Sequence, residues 1–470
     1  MQLAGEGDGE PVSRAAFGLA ILLGLSPFPS TVRAEQDRIV PLVRPELAAR
    51  LRQKGVPLRA RVMTPEQAAM QSALVKRWRS FPSVLGPAGV DMSSSANRRP
   101  GWRPRAKAAA ARSAGPRSAS AFATPPDTIH VAMLRVEFRT DRGGSNSTGD
   151  GRFDLSGPDT TAIPIDRPPH NRTFFQKHFE GMSRYFAGQS YGRVVVVGDV
   201  WPRDENKAYS VSDMADFGPW NFTQEVYPRA VHMFRTMFFA ADTQSIAMGD
   251  RIPWDSYDRF VIVHAGSDLQ SDVKQDSKED IPTFTIFLTD TDTIVFPDST
   301  TRPIDRASMV PELGSQDGNI GALDGALFHE TCIDFFGLND TYDVNSELPV
   351  VGLWDIMDSG NLAGALVERP NGQQFFATGI LPTGIAPWQR QFVGDALTFP
   401  EASEGDTIPV LNSERWPDVR RVSLSSDEYL LLENRWLAPS STSRRPPSSR
   451  RRCRCSPRRR TRGSTTRCPS

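Results

Sequence analysis

The chain has 470 residues, 39% of them hydrophobic, which is enough for a sizeable core and for roughly two to four domains. Its 55 basic and 55 acidic residues cancel, which excludes whole-molecule steering of nucleic acid and leaves local basic segments to be explained separately. Three of the four cysteines (Cys453, Cys455, Cys468) crowd into the last eighteen residues, so no disulfide framework holds the core, and 38 prolines with 36 glycines predict many loops and short strands.

At the N-terminus, residues 15–25 (AAFGLAILLGL) form an apolar run too short to span a bilayer. Pro27, Pro29 and the small-residue pattern ending at Ala34 follow it, which predicts a signal peptide over 1–34 and a secreted protein. The front end, MQLAGEGDGEPVSR, departs from a basic leader, and an over-early start codon accounts for it; the alternative is a buried helix. No other run approaches membrane-spanning length. Residues 35–91 read as a helical pro-segment, with PELAARLRQKG followed by TPEQAAMQSALVKRW and Thr64 as N-cap. Residues 92–127 are basic, free of large aliphatic runs and unable to bury a core, so they read as a disordered linker.

The folded body begins with a strand at 129–138 (IHVAMLRVEF). A Gly- and Asp-rich loop from Asp141 to Asp154 has oxygens for calcium, yet its spacing matches no defined calcium loop and a plain turn is the better reading. In TFFQKHFEGMSRYF (173–186), Phe175, Phe179, Met182 and Phe186 recur at helical spacing and predict one buried face. Strands follow at Val194–Val197, in DRFVIVHAG (258–266) and in PTFTIFLTD (282–290). A helix then opens in GNIGALDGALFHE, and EYLLLENRW (428–436) is the last predicted strand. Beyond Pro439 the chain is rich in Arg, Ser and Pro. This is the composition of out-of-frame GC-rich codons or of a disordered polycation, and no function is assigned to it.

The chemistry concentrates in FHETCIDFFGLNDTYD (328–343). His329 and Glu330 stand as the first half of a helical zinc motif. In that motif two histidines at i and i+4 reach one metal and the intervening glutamate takes a proton from the metal-bound water. The i+4 position holds Ile333, which cannot coordinate. Gly337 followed by Asp340 suits a chain reversal bringing a third ligand, and WDIMDSG (354–360) suits a tight turn carrying Met357 under a metal. Asp334 is a stand-in for the missing ligand only if the last helical turn bulges. On an ideal helix it lies about 140° round from His329, against about 40° for an i+4 residue. His264, at a strand end, is a second stand-in, and Cys332 a third on a different side of the helix.

Six segments in order, EGMSRYFAGQSYGRVVVVGDVWP, YDRFVIVHAG, GLNDTYD, GLWDIMDSG, LPTGIAPWQRQFVG and EYLLLENR, resemble the immune inhibitor A family of secreted zinc metallopeptidases over roughly residues 128–436. The resemblance implies an α+β, metzincin-like catalytic domain (128–395) with a twisted mixed sheet and an active-site helix. A truncated β-rich extension (396–438) and the tail (439–470) follow it. It also implies one zinc held by His329 and Asp340, Glu330 as general base, Met357 as a structural turn residue, latency conferred by the pro-segment, and protein or peptide substrates. Two functions follow as expectations: a secreted zinc endopeptidase, impaired by Ile333, or a catalytically inactive pseudo-peptidase acting as a binding protein.

Overall fold

In the computed structural model, residues 38–55, 61–86, 127–141, 147–158, 165–220, 226–296, 303–343, 348–395, 397–402, 410–425 and 428–435 are described. The expected signal peptide, all of the linker except its last residue, and the tail lie outside them. The N-terminal segment contributes strand β1 (Arg38–Val43), helix α1 (Pro45–Gln53), strand β2 (Arg61–Val62), helix α2 (Pro65–Arg79) and strand β3 (Val84–Leu85). Thr64 caps α2 as anticipated, in a reciprocal box with Gln67 that satisfies two of the open N–H groups of the first turn.

The body supplies β4 (Asp127–Phe138), α3 (Arg172–Gln189), β5 (Val194–Trp201), β6 (Tyr209–Val211), α4 (Val226–Ala247), β7 (Arg259–His264), β8 (Phe284–Phe287), β9 (Arg306–Pro311) and α5 (Leu323–Phe336). A mixed seven-stranded sheet runs β3-β8-β9-β7-β4-β5, with β6 beside the end of β4; only β8 and β9 pair antiparallel. Side-chain alternation divides the core between its faces. Ala132, Leu134 and Val136 of β4, with Phe260 and Ile262 of β7, pack with α4. Val131 and Met133, with Val261 and Val263, pack with α3 and α5. The apolar face read on α3 is observed, since Phe175, Phe179, Met182 and Phe186 are all buried. The fold is therefore α+β with a mixed sheet between helical layers. Among the described residues no helix is long and apolar enough to cross a membrane.

The remaining elements are β10 (Tyr342–Asp343), β11 (Leu348–Pro349), β12 (Ala365–Glu368), β13 (Gln374–Ala377), a short α6 (Pro387–Arg390), β14 (Arg420–Ser423) and β15 (Tyr429–Leu432). A second sheet, ordered β13-β12-β1-β2, joins the N-terminal segment to the body, and β1 pairs antiparallel with β12 from Arg38↔Glu368 to Pro41↔Ala365. The segment read as merely helical is thus woven into both sheets, because β3 also adds to the free edge of β8.

Candidate functional site

Helix α5 carries the expected motif on a wholly buried stretch. Its N-terminus has no local side-chain cap, and the Asp166 carboxylate accepts from Leu323 N at 2.9 Å instead. Gly337 ends the helix in the left-handed region (φ 66°), as its place in the motif requires, and returns the chain towards Asp340. The turn at 355–360 then passes beneath His329, whose Nδ1–H donates to the Ile356 carbonyl at 2.8 Å. Asp355 shapes that turn by accepting from Met357 N, Ala386 N and Thr341 Oγ1. Gly360 is obligatory there, since a Cβ would lie 2.4 Å from the Asp355 carbonyl oxygen.

His329 Nε2 lies 3.2 Å from Asp340 Oδ1 and 3.1 Å from Ser83 Oγ. The first contact is an ion pair without hydrogen-bond geometry, because Asp340 Oδ1 makes no hydrogen bond. The second continues from Ser83 to the Tyr342 hydroxyl at 2.7 Å, and Tyr342 donates to the Phe81 carbonyl at 3.4 Å. Burial opposes a charge on His329, but Asp340 and Glu330 outweigh it and raise its pKa to about 9. As an imidazolium it starts a complete donor chain: His329 to Ser83, Ser83 to Tyr342, Tyr342 to the backbone. Glu330 accepts from Thr285 Oγ1 at 2.9 Å, and burial pushes its pKa up to about 8 despite the charge of His329.

The three stand-ins for the missing ligand are elsewhere. Ile333 is fully buried in the apolar cluster shared with α3. Asp334 does not turn towards His329, so the condition set for it as a stand-in, a bulge in the last turn, is not met. Helix α5 is α-helical throughout, and Asp334 points to Arg259, with Nε 3.4 Å from Oδ1. Burial raises the Asp334 pKa to about 6, against the pull of Arg259 and Arg306. His264 is ruled out by strand alternation, since it falls in register with Phe260 and Ile262 on the α4 face, opposite α5. Burial lowers its pKa to about 4. Cys332 is buried beside Ile333 in the same apolar cluster.

A catalytic zinc needs three protein ligands and a neutral imidazole. Here His329 and Asp340 converge, and the remaining ligand position, Ile333, is hydrocarbon buried in the apolar cluster. The residues do not fit a resident catalytic zinc. Among the described residues, the grouping of acidic, His or Cys side chains close enough to share an ion is Asp272, Asp276 and Asp317, outside the motif. Asp272 there caps its own loop through Asp276 N and Ser277 N, and the Lys274 ammonium sits 3.3 Å from Asp317.

Residues that the motif gave no sign of close the site from the N-terminal side. Trp78 meets the His329 ring edge-on at 5.7 Å between centroids. Arg79 pairs with Asp358 at 2.7 Å, and Asp358 also gathers the N–H groups of Val350, Val351 and Gly352. Arg77 reaches the opposite rim, 3.9 Å from Asp272. Three consecutive residues of α2 thus meet Asp272, His329 and Asp358 in turn. In sequence they read only as part of the helical pro-segment. No protein-family model matches the chain, and no curated protein matches it either.

Proposed function

We propose that this is a secreted protein built on a metzincin-like peptidase scaffold of the immune inhibitor A type, in which the zinc site is dismantled and the cleft binds polypeptide without cutting it. The observation carrying this reading is the buried Ile333 at the second-ligand position of a helix that otherwise keeps His329, Glu330 and the turn to Asp340. Supporting this, the chain's own residues 77–85 lie against the motif, with β3 paired to the edge of β8 and Ser83 hydrogen-bonded to His329. Edge addition gives affinity through main-chain hydrogen bonds, and side-chain seats give selectivity. In this reading the N-terminal segment occludes the cleft until it is displaced.

The test uses the full chain expressed from its own start and recovered from the medium. Zinc content is measured by elemental analysis and proteolysis on casein, before and after nicking between residues 92 and 126. Expected results are well under one zinc per chain and no caseinolysis, with zinc uptake restored by Ile333→His. One retained zinc per chain together with casein cleavage in the natural sequence would establish the endopeptidase instead.

A further inference from the structure

We propose that His170 and His178 form a proton-operated latch on the motif helix. With both rings as imidazoliums they tie the start of α5 to α3 and to the end of β9, and when the rings lose that proton the start of α5 loosens.

The latch is built around Asp166, whose backbone lies in the left-handed region (φ 46°). Its carboxylate accepts from Leu323 N at 2.9 Å, supplying the cap that α5 lacks locally, and its carbonyl lies 2.7 Å from His170 Nε2. The other nitrogen of His170, Nδ1, meets the Glu312 carboxylate just beyond the end of β9. Glu312 is itself fixed by accepting from Asp154 N and Gly266 N, and His170 is buried. Both nitrogens of this ring therefore face acceptors, one a carbonyl and the other a carboxylate. A neutral imidazole has a single N–H, so it would set a lone pair against one of those oxygens. Only the imidazolium donates to both.

His178, on α3, repeats the pattern. Its Nδ1 lies 2.7 Å from Asp324 Oδ1, in the first turn of α5, and its Nε2 lies 3.7 Å from Asp166 Oδ1. The Phe174 ring stands between the two histidines, 4.4 Å from His170 and 4.6 Å from His178 between centroids. The charges acting on the pair are Glu312 and Asp154 at His170, Asp166 and Asp324 at His178, and Lys177, which opposes the charge on His178. Burial also opposes a charge on each ring, but the facing carboxylates outweigh it and raise both above the ordinary histidine value. Stability from a group raised in this way is full below its unfolded value near 6.5 and is lost as pH climbs through the folded one. The latch is closed in mild acid and opens on the alkaline side.

Hydrogen exchange of the full chain, followed by mass spectrometry from pH 6 to 9 and corrected for the intrinsic rate at each pH, reads the latch locally. Residues 322–330 are compared with α4, on the other face of the sheet, so that pH effects on global stability cancel. Protection of 322–330 should fall about tenfold relative to α4, the scale of losing a hydrogen bond to a charged group. In the chain carrying His170→Gln and His178→Gln it should be low already at pH 6 and nearly flat to pH 9. Protection that holds steady over this range in the natural chain overturns the latch, and so does a tenfold fall that survives both substitutions. Should the doubly substituted chain fail to fold, His178→Gln alone, at the more exposed ring, decides: a reduced fall supports the latch and an unchanged one overturns it.

Discussion

Position 334 separates two ways of reading α5. Along the motif, Asp334 is a stand-in ligand only on a bulged last turn; in three dimensions its carboxylate faces Arg259. Asp334→Ala should leave metal content unchanged and destabilise the fold by about 3–5 kcal/mol, because it breaks the buried Asp334–Arg259 ion pair from one side. Urea denaturation checks this, and a change in metal content without a stability loss would contradict it. Ile333→His should lower the melting temperature of metal-free protein, since it removes buried hydrocarbon at a cost of about 2–4 kcal/mol. Zinc should then raise that temperature in the variant and leave the natural sequence unmoved. Asp280 offers a pH signature away from the motif. Burial raises its pKa to about 8, against the hydrogen bonds from Thr148 and Gln316. The folded state therefore keeps a proton that the unfolded chain releases near pH 4. Stability from this group is full below that pH and is lost as pH rises through about 8. Thermal melts from pH 5 to 9 should fall, and Asp280→Asn should flatten the slope.

Among the elements, the last turn of α2 and the turn at 355–360 act as one clamp. Arg79 bonds to Asp358, and Asp358 holds the loop at Val350–Gly352. Arg79→Ala should cost about 3–5 kcal/mol and raise amide exchange at 350–352 and across α2 together, as expected for a buried pair broken from one side. Exchange that rises in α2 alone would show that the clamp does not extend to the loop. At this scale periodic elements were the legible ones. The face of α3, the capping of α2 and the strands near 129–138, 194–197 and 258–266 follow from patterns of period 3.6 or 2. The long α4 does carry such a stripe, since buried Tyr227, Ala230, Phe234, Met237, Ala241 and Ser245 recur at three- and four-residue steps, but exposed Phe239 and Ile246 blur its edge. The short β9 (RASMVP) has no clear alternation.

For the whole molecule, the consequence is that the N-terminal segment is a structural part of the body in this state. It lends β1 to one sheet and β3 to the other, and anchors α2 through buried ion pairs between them. A single cut between residues 92 and 126 should leave both pieces co-eluting on gel filtration, with separation only under denaturant. Prompt dissociation after nicking would mean that these contacts are weaker than their burial implies.

The sequence by itself determined the helix with His329 and Glu330, the helix stop at Gly337 and a non-coordinating side chain at Ile333. Each of these is a local matter of residue type and spacing. Tertiary structure alone decided where Asp334 and His264 point, and that Ser83, Trp78 and Arg77 close the site from some 250 residues upstream, as the 246-residue separation of Ser83 and His329 illustrates. The reason is physical: a side chain's direction follows from its own helix or strand, but its partner is fixed by how sheets and helices stack. That stacking is set mainly by apolar surface that distant segments bury against one another, and it leaves no signature in any one window.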